Sequence, residues 1–211
     1  MSVGHDSDPT SLVWGEDKSD IPWEKLFLSY PIPHEPGVKF VYNSLATYML
    51  SAIVQKVTGE KIFDYLKPRL FDPLGIEGAV WDSHPSGVNL GGWGLHVKTE
   101  DMAKLGQLLL QKGNWNGQQI LPELWVEEAT TMKIMQKPEV DPLQSESDWE
   151  QGYCYQIWRC RNDAFRADGA NGQFIIVLPN ENAVIAITAN IGDMQAELNL
   201  VWKHLLPSLQ K

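Results

Sequence analysis

Leu45, Tyr48, Met49, Ala52, Ile53 and Val57 recur at helical spacing and predict one helix with a single apolar face. Asn43 or Ser44 is its natural N-cap, because a short polar side chain there accepts an orphan backbone N–H of the first turn. Gly59 follows where a left-handed C-cap residue sits. Upstream, Pro36-Gly37 is turn chemistry and Lys39–Tyr42 reads as a short extended run. A short helix is predicted over about Lys61–Leu66, ending before Pro68. Trp81 to Leu95 reads as a loop rich in Gly, Ser and Asn, whose glycines imply backbone that bends sharply or approaches something closely. Thr99 is expected to cap a helix to about Gln111, with Met102, Leu105, Leu108 and Leu109 on its apolar face. Asn114–Gly117 is a turn, and Pro122–Met132 a further helix with proline in its first turn.

The pattern then changes from period 3.6 to short β segments at Gly152–Arg159, Phe165–Asp168, Gln173–Leu178 and Ala183–Ala189. The last two are nearly continuous apolar runs, so they predict a hairpin buried on both faces. Asp193 can cap a closing helix from Met194 to about Leu206. Helices, then an antiparallel sheet, then a closing helix define an α+β class in one domain over residues 1–211. Its helical part is expected at about 36–135 and its sheet with closing helix at about 151–207. The first 36 residues leave room only for a helix near Pro22–Ser29, and so long an irregular start is expected to border a site or pack on something. Residues 137–150 read as an exposed acidic loop.

A hydrophobic content of 43% suits a sizeable core, and a net charge of −10 argues against a nucleic-acid surface. No run approaches the roughly 20 apolar residues of a membrane span. The start shows no signal peptide, so a cytoplasmic setting is the expectation. Cys154 and Cys160 would stand roughly 20 Å apart in an extended strand, at about 3.3 Å per residue, so two free thiols are expected.

The candidate chemistry is sparse. The histidines lack ligand spacing, so no metal is expected, and no phosphate loop or GxSxG elbow occurs. Nine tryptophans raise a carbohydrate platform, which would need several of them on one exposed face. The one SxxK, Ser208–Lys211, occupies the frayed terminus and reads as chance. Tyr42-Asn43-Ser44 remains, either a general base at a helix mouth or a buried tyrosine beside an ordinary cap.

Four segments in consistent order change this picture: PGVKFVYNSLATYMLSAIVQKVTG, FDPLGI, GGWGLHVKTEDMAKLGQLLLQKGNWNGQQIL and GANGQFIIVLP. Together they resemble the β-lactamase-related serine hydrolases, which include class C β-lactamases, DD-peptidases and related esterases. The resemblance implies a β-lactamase/DD-peptidase-like α+β fold, no cofactor, and a small-molecule acyl substrate: a β-lactam, a D-Ala peptide, an ester or an amide. It also implies that Tyr42 is the family's proton-handling tyrosine, with Ser44 where the motif has asparagine and Asn43 supplying an amide nearby. Ala167-Asp168-Gly169 matches the family's Lys-Thr-Gly or His-x-Gly strand without its leading cation, for which Arg166 is the only neighbour. Asp168, Gly169 and Ala170 would then hold substrate, with the Ala170 N–H as an oxyanion donor. MSVGHDSDP resembles the segment just after the family's SxxK helix, so an N-terminal portion bearing the nucleophile is expected to be missing. A complementary N-terminal fragment or a homodimer is the expected partner, and the chain alone is expected to be inactive. A non-catalytic binding or assembly module on the same scaffold is the alternative.

Overall fold

The structure is a computed structural model that describes residues 1–13 and 22–210. Residues 14–21 of the irregular start and Lys211 of the terminal SxxK lie outside the described residues. The chain forms two compact units, Met1–Val97 and Lys98–Lys211, so the helices after Val97 belong with the sheet.

Among the described residues the first unit holds a 3-10 turn at Pro9–Leu12 and three α-helices: α1 (Trp23–Ser29), α2 (Ser44–Thr58) and α3 (Ile62–Leu66). Asn43 caps α2, and Gly59 ends it at φ 76°, both as the sequence implies. The apolar face of α2 is buried only over its first half. Leu45 and Tyr48 enter a core with Val13, Trp23, Val88 and Leu90, whereas Ile53 and Val57 are exposed. Lys39–Tyr42 joins no sheet among the described residues; Gly37 N–H donates to the Ser2 carbonyl and Val41 N–H to that of Met1.

The third helix ends at Leu66, before Pro68 as predicted, but the helical path continues. α3 runs on into a π-turn, Lys67–Phe71, in which Asp72 N–H reaches back five residues to the Lys67 carbonyl. The wider turn carries the chain past the N–H that proline lacks. The predicted Trp81–Leu95 loop is the inside of a long hairpin, since β1 (Val80–Trp81) pairs antiparallel with β2 (Leu95–His96). Gly91 and Gly92 do make the close approach their residue type implies. A Cβ on either would lie within 3 Å of α2, at Ser51 and at the Ser44 carbonyl.

In the second unit α4 (Thr99–Leu110) begins one residue earlier than expected, with Lys98 at the cap and Thr99 already helical. A hairpin of β3 (Asn114–Trp115) and β4 (Gln118–Gln119) follows, then α5 (Glu123–Thr130), for which Pro122 stands at the N-cap rather than inside. The sheet is a meander of β5 (Trp158–Arg159), β6 (Phe165–Gly169), β7 (Gln173–Leu178) and β8 (Ala183–Thr188), all antiparallel and in chain order.

The expected strand Gly152–Arg159 shrinks to two residues because Gln156 adopts φ 60° and Cys154 N–H turns back to the Ile157 carbonyl. β7 is buried as expected, but β8 is of intermediate exposure and, among the described residues, stands at the edge of the sheet. Phe174, Ile176 and Leu178 point to one face, against Leu198, Val201 and Leu206 of the closing helical region. The opposite face carries α4, where a Cβ on Gly106 would meet Val184 at 2.5 Å. That region comprises α6 (Met194–Leu200), a π-turn at Val201–Leu205 and α7 (Leu206–Leu209), with Asp193 capping Ala196 N–H. Both cysteines are free and buried.

The acidic loop is not wholly exposed. Asp148 is fully buried and accepts from Arg161, Gln195 and the Trp202 indole, at 2.8–2.9 Å from its Oδ2. Burial pushes its carboxyl up, but these donors outweigh burial and hold it below the usual range.

Candidate active site

The corner at the mouth of α2 is built from residues far apart in the chain. Asn43 Oδ1 accepts from Ala46 N–H at 2.9 Å, which satisfies one orphan donor of the first turn. Leu45 N–H is satisfied by Thr10 Oγ1 at 3.0 Å, and Thr10 is itself held by Asp8. Asn43 N–H contacts Met1 Sδ at 3.1 Å, and its Nδ2 lies 2.9 Å from His5 Nδ1. The irregular start therefore packs under the helix mouth, as its length suggests.

Asn43 is fully buried, and both ends of its amide are engaged inside this unit. Tyr42 is 41% exposed, so it is not the buried tyrosine of the plainer reading. Ser44, half-buried, opens the helix, and its carbonyl is the group that Gly92 approaches. The buried tyrosine nearby is Tyr48, which donates to Glu24 at 2.8 Å and whose phenol burial pushes up. Local spacing holds no sign of His5 or Thr10; only a count of unsatisfied helix N–H groups hints that distant acceptors are required.

In the second unit the predicted strand edge lies at the end of β6. Gly169 pairs with Gln173, and Ala170-Asn171-Gly172 turn between them, with Asn171 at φ 64° and Gly172 at φ 88°. Ala170 is exposed at this turn.

Arg166 does not stand in for the missing cation. Strand alternation puts it on the core face with Asp168, while Ala167 faces the other way. Its side chain is fully buried, 4.5 Å from the Trp149 ring and 5.2 Å from that of Trp158. Its Nη2 lies 3.1 Å from the Asp168 carboxylate. Burial raises the Asp168 carboxyl above the usual range, and Arg166 opposes the rise. Asp168 is thus occupied by an internal ion pair, and only 9% of its side chain is exposed.

Among the described residues Trp125 is the one exposed tryptophan, so these residues present no face of several exposed tryptophans.

Antiparallel strands with helices, and a Tyr-Asn-Ser corner at a helix mouth, are the features to be placed. A β-lactamase family model matches residues 3–205, and the chain belongs to that family. Its members are serine acyl hydrolases. No curated protein matches the chain. Among solved structures it is similar to a proposed 6-aminohexanoate-dimer hydrolase from Bacillus anthracis, at 23% identity and a TM-score of 0.73 over 93% of this chain and 52% of that one. It is also similar to the octameric penicillin-binding protein homologue from Pyrococcus abyssi, at 18% identity and 0.71, over 98% of this chain and 54% of that one. Simvastatin synthase (LovD) from Aspergillus terreus aligns at 14% identity and 0.67 over the whole of this chain and 67% of that one. The chain thus spans about half the length of the first two.

Proposed function

We propose that this chain works as part of a serine acyl hydrolase, with Tyr42 as its proton-handling group and the Asp168–Ala170 strand end as a substrate-holding edge. The nucleophilic serine comes from an SxxK-bearing polypeptide segment that complements the chain. That serine attacks a small acyl substrate, a β-lactam, D-Ala peptide, ester or amide, and water cleaves the acyl-enzyme. The exposure of Tyr42 on a corner fixed by Asn43 and Thr10 is the observation that supports this reading. Asn43 serves the scaffold, and Ser44 is left to orient the lysine or the substrate. At the strand edge the backbone of Gly169 and Ala170 carries recognition, while Asp168 fixes the strand through Arg166.

The 211 residues alone are expected to give no covalent adduct with a fluorophosphonate or penicillin-type probe, because no internal helix offers SxxK. Adding an SxxK-bearing segment from a family member is expected to restore labelling on that serine. Tyr42→Phe should then slow acylation by about a hundredfold or more. Labelling of the chain by itself would overturn the proposal.

A non-catalytic module is the second reading, favoured by the burial of Arg166, which leaves β6 without an outward cation. Failure to label with the added segment, alongside retained ligand binding, would select it.

A further inference from the structure

His5 is 1% exposed, its ring centroid 4.9 Å from that of Phe27 and 5.1 Å from that of Tyr30. Among the described residues its side-chain hydrogen-bond partner is Asn43, and the direction of that hydrogen bond follows from donor and acceptor chemistry. Ala46 N–H can only donate, so the Asn43 atom facing it is the carbonyl oxygen. The Asn43 atom facing His5 is therefore the NH₂ group, which also can only donate. His5 Nδ1 must accept, and the ring is neutral with its proton on Nε2. A cationic ring would set N–H against N–H at 2.9 Å. The remaining Nε2–H is buried and has no hydrogen-bond partner among the described residues.

The structure assigns to His5 the part of a positioning residue: in its neutral Nε2–H form it holds Asn43, and through Asn43 the Tyr42–Ser44 corner. The functional consequence rests on Tyr42 being the proton-handling group, but the positioning does not.

The surroundings agree with a neutral ring. Of the titratable groups near it, Asp8 favours the charged form, Tyr30 offers an aromatic edge, and burial outweighs Asp8, lowering the ring's pKa. Asp6, the next carboxylate in sequence, is engaged by Lys39 and His34 instead. Protonating His5 would push Asn43 away, release Ala46 N–H and free the corner, while Leu45 N–H stays on Thr10.

The test uses the full chain with ¹⁵N-labelled histidine. The His5 ring is expected to show a bare Nδ1 and a protonated Nε2, and to remain neutral below the ordinary histidine value of about 6.5. A proton on Nδ1 at neutral pH would overturn the proposal. Two variants separate positioning from filling. His5→Gln keeps an acceptor, and its Ala46 amide exchange and Tyr42 ring signals should stay close to those of the parent. His5→Phe keeps the bulk and removes the acceptor, so Ala46 exchange should speed by about tenfold or more with Leu45 exchange unchanged. Equal acceleration at both amides, or equal behaviour of the two variants, would sink the idea. If either variant fails to fold, the tautomer of the parent ring still decides. Failure of the acylation experiment above would leave every one of these readouts untouched, so the two proposals fail separately.

Discussion

A Cβ on Gly92 would stand 2.7 Å from the carbonyl oxygen of Ser44, so the loop between β1 and β2 lies directly on the mouth of α2. Real Cβ atoms do not come that near a backbone oxygen, and backbone on both sides leaves little room to yield. Gly92→Ala is expected to lower stability by about 1–3 kcal/mol, read from the urea midpoint. Gly192→Ala is the matched control, because nothing lies within 4 Å of the added atom. It should change stability by less than about 0.5 kcal/mol.

Thr10 supplies a cap from outside the helix it caps. Thr10→Val removes the acceptor for Leu45 N–H while keeping the shape, and should cost about 1 kcal/mol. Faster amide exchange at Leu45, with Thr10→Ser restoring protection, is the expected signature.

Asp148 gives a pH dependence of definite sign. Its folded carboxyl titrates below the usual range, so the unfolded chain binds the extra proton between the two values. The stabilisation is present above about pH 4 and fades as pH falls through the lower folded value. Asp148→Ala leaves the Gln195 and Trp202 donors without their acceptor beside Arg161, and should cost about 3 kcal/mol or more at neutral pH. Chemical denaturation of parent and variant across acid pH tests this: the gap between them should narrow as the carboxyl protonates.

Cys154 and Cys160 are buried, and burial pushes both thiols up to about 11. Neither should react with a disulfide reagent at pH 8 in the folded chain, and both should react on unfolding. Rapid labelling of the native protein would contradict the packing around β5 and β6.

The elements read correctly from sequence are those specified by neighbours in the chain. Asn43 and Asp193 cap their helices by accepting from the N–H three residues on, Gly59 ends α2, and β7 announces itself as an apolar run. What escaped the sequence depends on partners far away. Asn43 looks like a substrate amide until His5 and Ala46 take both its ends, and the acidic loop looks exposed until Asp148 meets Trp202. Arg166 is an intermediate case, because period-two alternation already places it on the face of Asp168 and away from Ala167. Pro68 is a partial case: α3 ends at Leu66 before it, as its residue type implies, but the helical path continues because a π-turn needs no bond from the N–H that proline lacks.

The Tyr42–Ser44 corner joins residues separated by 35 positions at Thr10–Leu45 and by 38 at His5–Asn43. Helix α2 can nucleate from its own sequence, but its mouth is finished only when a loop of that length has closed, an entropic step that local helix formation does not face. During folding the segment that bears Tyr42 is therefore expected to take its shape late, after the helix that displays it.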